Sequence, residues 1–362
     1  MPSASIVGAG IFGASLAYRL IRDGWDVTLY ERHEPGHERA ASGGESRLIR
    51  FSHGSDAWYT RSALRARDLW RELEVESGRE LFVECGVLWL GRREDGWEAA
   101  SEVVLREEGV PVERLQADEG ERFFPSFEQG DLEFLLWEPE AGVLRAAEAT
   151  MATAEAAQNA GVRLVQTEAL PGQVEGDVVV WACGAWLLGL FPGLVPLRVT
   201  RQSLFFVRTD DRWRASEIPA WVDYDRAVYG VGDLDGIGLK LALDAEGPAF
   251  DPEARDRAVD DEAQVAALAY AAERFPALRD ATVASFKICP YALTPDTNFI
   301  VAPHPELGGN WILGGGSGHG FKHGPALAEY AARVISAEER PDERFGLGPR
   351  RGGPSLRTAG TT

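Results

Sequence analysis

The chain has 362 residues and a formal net charge of −20, from 37 Lys and Arg against 57 Asp and Glu. This balance argues against nucleic acids and anionic membrane surfaces as partners, and no apolar run is long enough to span a bilayer. The length predicts two domains, because one hydrophobic core seldom exceeds about 250–300 residues. The three cysteines cannot all pair and no signal peptide is visible, so we expect a cytoplasmic protein.

The first 31 residues read as a strand, a tight turn, a helix and a second strand. The turn is GAGIFG, and its glycines Gly8, Gly10 and Gly13 permit the turn itself, the approach of a pyrophosphate and close helix–strand packing. Glu31 ends the second strand, where we expect it to bind a ribose hydroxyl. The pattern predicts a dinucleotide site and leaves FAD and NAD undecided.

Apolar periodicity predicts a mixture of helices and strands over the next 150 residues. In chain order these are helix 58–75, strand 82–90, helix 99–108, strand 132–137, helix 144–160 and strands 162–166 and 177–182. Strand 82–90 is expected to open a second domain. The apolar strand 177–182 is typical of a parallel sheet and returns the chain to the nucleotide domain.

Residues 197–207 and 220–243 are strand-rich. If 238–243 is a strand, Lys240 and Ala242 face one way and the leucines between them the other. Residues 251–275 are expected to be charged, then helical and solvent-facing.

Lysine is nearly absent from the chain. The three lysines are Lys240, Lys287 and Lys322, and arginine supplies every other permanent cation. Lysine is a compact charge with a tunable pKa, whereas arginine is a planar fork that stays protonated. These positions are therefore candidates for functional sites at which arginine could not replace lysine. The alternative is that the three lysines remain by chance. Glycine-rich contexts favour function at Lys240 and Lys322.

Residues 285–324 hold the densest group of candidate residues. Cys289 lies two positions after Lys287, a T-P-D turn follows, and a glycine run at 314–320 leads to Lys322 at a helix start. The glycines let backbone N–H groups approach a ligand closely. Lys322 would project into the same space, so we expect the chemistry here.

Five segments together resemble the monomeric sarcosine oxidase and N-methyltryptophan oxidase family, within the D-amino acid oxidase superfamily. They are GAGIFG, SRLIR, GLKL, KICPYALTPD and GGGSGHGFK, in the family's order over nearly the whole chain. The resemblance implies an α/β fold, with a Rossmann-type FAD-binding domain and an inserted sheet-rich α+β substrate domain. The implied ranges are 1–80, 140–200 and 285–340 for the FAD-binding domain, 81–139 and 201–284 for the substrate domain, and 341–362 for a C-terminal arm or tail.

The resemblance also implies how FAD is held. Cys289 matches the cysteine that carries the flavin through a thioether at its 8α carbon. The other implied contacts, besides the first glycine turn and Glu31, are Ser42, Gly316, Gly318, His319 and Gly320.

The same resemblance implies a catalytic group. Arg50 and Lys322 match the pair that grips the substrate carboxylate, and Lys240 matches the lysine that activates oxygen. Arg47 matches an arginine near the flavin ring, and Tyr229 an active-site tyrosine. The implied reaction oxidises the C–N bond of a secondary amino acid to an imine and reduces O2 to H2O2. We expect a monomer without a metal site.

Two family histidines are replaced here, by Gly43 and Asp244. The substrate pocket is therefore expected to be remodelled, and Asp244 would either neutralise a basic group of a larger substrate or face solvent. Segment 167–176, which in the family helps to cover the adenine, is shorter. Three alternatives stay open: a flavin dehydrogenase with another electron acceptor, a 2-hydroxy-acid oxidoreductase, and a non-catalytic protein that binds flavin or senses NAD.

Overall fold

The computed structural model describes residues 1–254, 257–352 and 355–357. The strands in these ranges are β1 (Ser3–Val7), β2 (Asp26–Glu31), β3 (Ser46–Ile49), β4 (Phe82–Val83), β5 (Val87–Gly91), β6 (Glu113–Gln116), β7 (Phe134–Glu138), β8 (Gly142–Arg145), β9 (Arg163–Gln166), β10 (Val178–Trp181), β11 (Arg198–Val207), β12 (Ala220–Asp223), β13 (Val228–Val231), β14 (Leu239–Leu243), β15 (Val283–Leu293), β16 (Ile300–Pro303) and β17 (Asn310–Gly314). The α-helices are α1 (Ile11–Arg22), α2 (Ala57–Ser77), α3 (Trp97–Glu107), α4 (Ala146–Asn159), α5 (Leu187–Leu190), α6 (Asp261–Arg274) and α7 (Gly324–Ile335). Within the described residues, no helix is both long and apolar enough to cross a membrane.

A six-stranded sheet has the order β16-β17-β10-β1-β2-β9. Its neighbouring strands pair in parallel except β16 with β17. The central strands are apolar because both faces are covered. Apolar residues of α1 and α7, such as Leu16 and Leu327, pack on one face, and Leu187 of α5 on the other. This is the predicted Rossmann-type layer, and the carboxyl ends of β1, β2, β9, β10 and β17 share one edge.

A larger, eight-stranded sheet has the order β15-β11-β14-β13-β12-β5-β7-β6. The alternation predicted for β14 is confirmed: Ala242 joins the apolar cluster on one face of this sheet, and Leu239 and Leu241 join the cluster on the other. A third, three-stranded sheet has the order β3-β8-β4. In the sequence, its strands lie where the chain passes from one large sheet to the other. The structure therefore has the expected α/β class with a second, sheet-rich part.

Two predicted elements differ in the structure. The strand predicted at 82–90 is split at Gly86 into β4 and β5, which belong to different sheets. Gly86 has φ +74°, and a Cβ there would lie 1.7 Å from the Trp137 ring, so the break requires glycine. Helix α6 is not wholly solvent-facing, since Tyr270 and Ala271 are buried beneath the large sheet. Because α6 carries many charged residues, the sequence pattern did not reveal this narrow apolar stripe.

The predicted C-terminal tail packs against the fold where it is described. Phe345 is fully buried in the core of the six-stranded layer, and Leu356 joins the same cluster. Arg350 donates to the carbonyl oxygens of Asn298 and Phe299 at 3.0 and 2.8 Å. Residues 353–354 and 358–362 of the predicted tail lie outside the described residues.

A buried ionic network joins the large sheet to α6. Asp223, at the end of β12, is fully buried. Its Oδ2 accepts hydrogen bonds from Arg92 Nη2 and the Tyr270 hydroxyl, both at 2.9 Å, and its Oδ1 accepts one from the Arg226 backbone N–H at 3.1 Å. A carboxylate is needed here because buried arginine charge requires a partner.

We therefore expect Asp223→Ala to lower the free energy of unfolding by about 1–3 kcal/mol, because the buried Tyr270 hydroxyl loses its acceptor while Arg92 keeps its ion pair with Asp131 at 2.7 Å. Asp211→Ala is the matched control, since its side chain is 84% exposed, and should change stability by no more than about 0.5 kcal/mol. Urea unfolding followed by circular dichroism measures both. Equal losses in the two variants would contradict a stabilising role for the network.

Candidate active site

A cavity of about 390 Å³ lies at the shared carboxyl edge of the six-stranded sheet. Doubly wound sheets bind nucleotides at this edge, where the strand ends leave a crevice. Its wall includes the turn after β1, the end of β2 and the segments that follow β9, β10 and β17. The predicted cofactor residues on this wall are Gly8, Gly10, Glu31, Ser42, Gly316, Gly318 and Gly320.

The turn between β1 and α1 leaves no room for side chains. Gly8 has φ +101°, and a Cβ there would lie 2.6 Å from the Ala182 carbonyl oxygen. A Cβ at Gly13 would lie 1.9 Å from the carbonyl oxygen of Gly8, so α1 can pack on β1 only with glycine. A Cβ at Gly10 would reach 3.1 Å from Ser42 Oγ, beside the N-terminus of α1. This cradle fits the pyrophosphate of a dinucleotide.

Glu31 and Ser42 are held against the cavity by backbone donors. Glu31 accepts the N–H of Ala9 at 2.7 Å through Oε2 and the N–H of His33 at 2.9 Å through Oε1. Each carboxylate oxygen keeps a further lone pair, which suits a ribose hydroxyl. Ser42 Oγ accepts the N–H of Ile11, in the first turn of α1, at 2.9 Å. Both side chains are thus held in place at the cavity wall.

Cys289 lies next to Arg47, behind the cavity wall: Arg47, Pro290 and Cys183 line the cavity, whereas Cys289 itself does not. Cys289 is buried in β15, opposite Gln202 of β11, and its Sγ is 3.6 Å from Nη2 of Arg47. Arg47 also donates to the carbonyl oxygens of Ala41 and Gly43, at 2.7 and 2.9 Å. The thiol thus lies one residue from the cavity wall, next to a guanidinium that lines it.

Lys240 is buried in β14, 2% exposed. Its Nζ donates to the carbonyl oxygen of Ser46 at 3.0 Å, one residue from Arg47, and lies 5.2 Å from the centre of the Tyr229 ring. Burial, followed by the charge of Arg47, lowers the pKa of Lys240 to about 7. Burial likewise raises the pKa of Tyr229, which stays neutral. The ammonium is thus a charge that titrates near neutral pH.

Arg50 is buried between the sheets without a carboxylate partner among the described residues. Its Nη1 donates to the carbonyl oxygen of Ser52, and its Nη2 to that of Leu356 at 2.7 Å. The guanidinium lies 5.1 Å from the ring centre of Trp89 and 5.7 Å from that of Trp97. Burial lowers its pKa to about 10, so Arg50 stays charged near neutral pH and uncompensated by an ion pair.

Lys322 lies in the 3₁₀ turn Phe321–His323 and donates from Nζ to the carbonyl oxygen of His319 at 2.9 Å. Burial and then the charge of Arg50 lower its pKa well below the usual value. Since Arg50 lies close enough to act on Lys322, the structure brings together the two predicted carboxylate-binding residues.

Three buried histidines line the other side of Lys322. They are His53, His319 and His323, and one nitrogen of each lies within 4.8 Å of the others. Within the described residues this is the group that could hold a metal ion, which the sequence analysis did not identify. Burial, followed by the charge of Lys322, lowers the pKa of each imidazole. All three therefore stay neutral.

The glycine run after β17 folds around two aromatic side chains. A Cβ at Gly320 would lie 2.8 Å from Phe12, and one at Gly318 would lie 2.6 Å from Tyr291. The imidazole of His319 stacks on Phe299 and bonds through Nε2 to the carbonyl oxygen of Thr297. His319 is thus outside the set of residues that line the cavity.

The two replaced family positions have structural explanations. A Cβ at Gly43 would lie 2.3 Å from the carbonyl oxygen of His37, so the local loop excludes a larger residue. Asp244 is buried, and its Oδ1 is 3.1 Å from Nη1 of Arg357. Asp244 therefore faces neither solvent nor a free space, and the basic group that it neutralises belongs to the chain's own C-terminal segment.

Sequence reasoning missed three residues around this site. Arg357 stands in a stretch interpreted as a tail. Ser46 supplies the carbonyl that holds Lys240, and Tyr291 lines the cavity. Tyr291 lies within the KICPYALTPD segment and could have been found there. Backbone carbonyls carry no sequence signal, and the position of Arg357 depends on a contact across 113 residues.

Comparisons with known proteins agree with this geometry. The chain matches the family model described as FAD dependent oxidoreductase over residues 4–334. It is 28% identical over 354 residues to the monomeric sarcosine oxidase of Bacillus sp. (strain B-0618), covering 91% of this chain and 90% of that protein. It is 26% identical over 354 residues to the N-methyl-L-tryptophan oxidase of Yersinia pestis (strain Pestoides F), covering 93% and 95%.

A solved structure shares the fold. The L-proline dehydrogenase from P. horikoshii superposes with a TM-score of 0.84 at 22% identity, covering 96% of each chain. The family match spans most of the chain, and the glycine cradle, Glu31 and Ser42 fit the dinucleotide that the family uses. The chain therefore belongs to the DAO family of FAD dependent oxidoreductases.

Proposed function

We propose that this protein is an amine oxidase of the sarcosine oxidase type, which oxidises the C–N bond of a secondary amino acid and passes the electrons to O2. One observation carries the proposal. Four cations donate to backbone carbonyl oxygens and form no ion pair with a described carboxylate: Arg50, Lys240 and Lys322, which are buried, and Arg47, which is half-buried. Buried charges normally have ionic partners, so this site is built for an anionic ligand.

The four cations fall into two pairs with different tasks. Arg50 and Lys322 act on each other electrostatically and would grip the substrate carboxylate, which holds the C–N bond in one orientation. Arg47 and Lys240 meet at Ser46, beside Cys289 and the cavity. FAD, when bound, supplies the electron-accepting chemistry. The division of the chain into FAD-binding and substrate domains at the ranges stated above belongs to this proposal.

Lys240 would serve the oxygen half of the reaction. Its ammonium places positive charge where negative charge develops on oxygen, and an apolar, buried setting strengthens that interaction. The likeness to proteins named sarcosine oxidase and N-methyl-L-tryptophan oxidase supports this choice of substrate class and acceptor. A screen of N-methyl and cyclic amino acids, with anaerobic flavin bleaching and peroxide yield measured in parallel, tests it. Bleaching without peroxide would instead indicate a dehydrogenase.

We expect Cys289 to hold FAD covalently. Acid precipitation of the purified protein should leave the yellow colour in the pellet, and Cys289→Ser should release it into the supernatant. Cys183→Ser is the control, because Cys183 lines the cavity whereas Cys289 is the cysteine in contact with Arg47. Release of intact FAD from the unmodified protein would show that no thioether forms.

We expect Arg50→Ala and Lys322→Met to weaken kcat/KM for acidic amines by about thirtyfold or more, since removing a buried charge partner costs roughly 2–5 kcal/mol. The corresponding amides should lose much less. Because burial lowers the pKa of Lys322, a bound carboxylate stabilises its ammonium form, so affinity should fall as pH rises. That pH dependence should disappear in Lys322→Met. Equal losses for acids and amides would rule out a carboxylate grip.

We expect Lys240→Met to separate the two half-reactions. Anaerobic flavin bleaching should stay within about tenfold of wild type, while reoxidation by O2 should slow by about a hundredfold, or roughly 2.7 kcal/mol of barrier. In the wild type, reoxidation should slow as pH rises through the pKa of Lys240, because the ammonium is lost. The variant should lack this dependence. Stopped-flow absorbance resolves both steps, and a loss confined to bleaching would place Lys240 in substrate binding.

A further inference from the structure

The short C-terminal segment 355–357 is anchored inside the candidate substrate site. The carbonyl oxygen of Leu356 accepts from Arg50 Nη2 at 2.7 Å, and its N–H donates to Thr297 Oγ1 at 3.1 Å. The carbonyl oxygen of Ser355 accepts from the Tyr224 hydroxyl at 2.8 Å. All three residues of the segment are buried. The segment is thus packed directly against Arg50.

Arg357 projects from this segment into the fold with its side chain 2% exposed. Its guanidinium lies 5.3 Å from the ring centre of Tyr291, a residue of the cavity wall. A Cβ at Gly318 would lie 2.4 Å from Arg357 Cδ, so the glycine run is shaped to admit this side chain. Nη1 is paired with Asp244 at 3.1 Å.

The other edge of the guanidinium is unused. Arg357 Nε and Nη2 are buried and have no hydrogen-bond partner among the described residues. These two N–H groups are the parallel fork that binds a carboxylate bidentately. Arginine does not lose its proton, and a buried donor without an acceptor is costly. Asp244 orients the fork without occupying it.

We propose that Arg357 is a second anion-binding group of the substrate site, and that the substrate is a secondary amino acid carrying a second carboxylate. The first carboxylate lies on Arg50 and Lys322, as in the proposed function on which this inference rests. The second, on the side chain or the N-substituent, takes the free fork of Arg357. Asp244 is a positioning residue, since it acts through Arg357.

The test compares isosteric acids and amides. For wild type we expect kcat/KM for N-methylglutamate or N-methylaspartate to exceed that for the matching N-methylglutamine or N-methylasparagine by about thirtyfold or more. Arg357→Leu should bring this ratio close to one, whatever its effect on the turnover of a monocarboxylate such as N-methylalanine. Arg357→Lys keeps the charge but not the fork and should recover only part of the preference. Thermal melting checks that each variant folds.

Arg351→Leu is the matched control. It removes the same charge six residues earlier in the chain, at an exposed position, so the acid-to-amide ratio should not change. An acid-to-amide ratio near one in wild type, or one that survives in Arg357→Leu, overturns the proposal. So does an equal gain for every substrate in Arg357→Leu, which would make the segment a simple obstruction.

A binding measurement separates this inference from the proposed function. Calorimetric titration of the FAD-loaded protein with succinate and with its half-amide requires no turnover. We expect succinate to bind more tightly, and Arg357→Leu to abolish the difference. If no amine bleaches the flavin while this difference persists, the proposed reaction fails and the anion site stands. If amines are oxidised but the difference is absent from the start, only the anion site fails.

Discussion

The burial of positive charge against backbone carbonyls is the constraint on which the site depends. Arg50 and Lys322 each lie away from solvent and donate to carbonyl oxygens, which stabilise the charge without cancelling it. Burial lowers the pKa of both groups, because each charged form loses hydration that no ion pair replaces. Negative charge brought by a ligand is therefore stabilised strongly, because it replaces no existing ion pair.

The scaffold around these cations is organised to leave that charge available. Glu138 is buried nearby, but its oxygens accept hydrogen bonds from the backbone of Phe51, from Ser52 and from the Trp89 indole. The Glu138 carboxylate is thus held by neutral donors and not by Arg50. Asp244 likewise leaves a cation available, because it pairs with Nη1 of Arg357 and leaves Nε and Nη2 without a partner among the described residues.

The two large sheets divide the work according to their geometry. The carboxyl ends of the parallel strands lie at one edge of the sheet. The glycine turn after β1 and Glu31 at the end of β2 are therefore brought together by strand order alone. The eight-stranded sheet presents one face to that edge, and alternation along β14 places Lys240 on this face. The charge of Lys240 thereby reaches Ser46, next to the cavity residue Arg47.

Part of the fold and of the site could be predicted from the sequence alone, because it depends on residues that are close together in the chain. The glycine turn with Glu31, the faces of β14 and the scarcity of lysine all depend on near neighbours in the chain, so the FAD-binding layer and the prominence of Lys240 and Lys322 could be predicted. The split at Gly86 and the buried stripe of α6 depend on packing partners that the local pattern does not show. Arg357 was invisible for the same reason, because only the folded chain brings it beside Asp244 and Gly318. The sequence determined which chemical groups are present, and the tertiary structure decided which buried charges remain without a partner, since pairing is a property of distance.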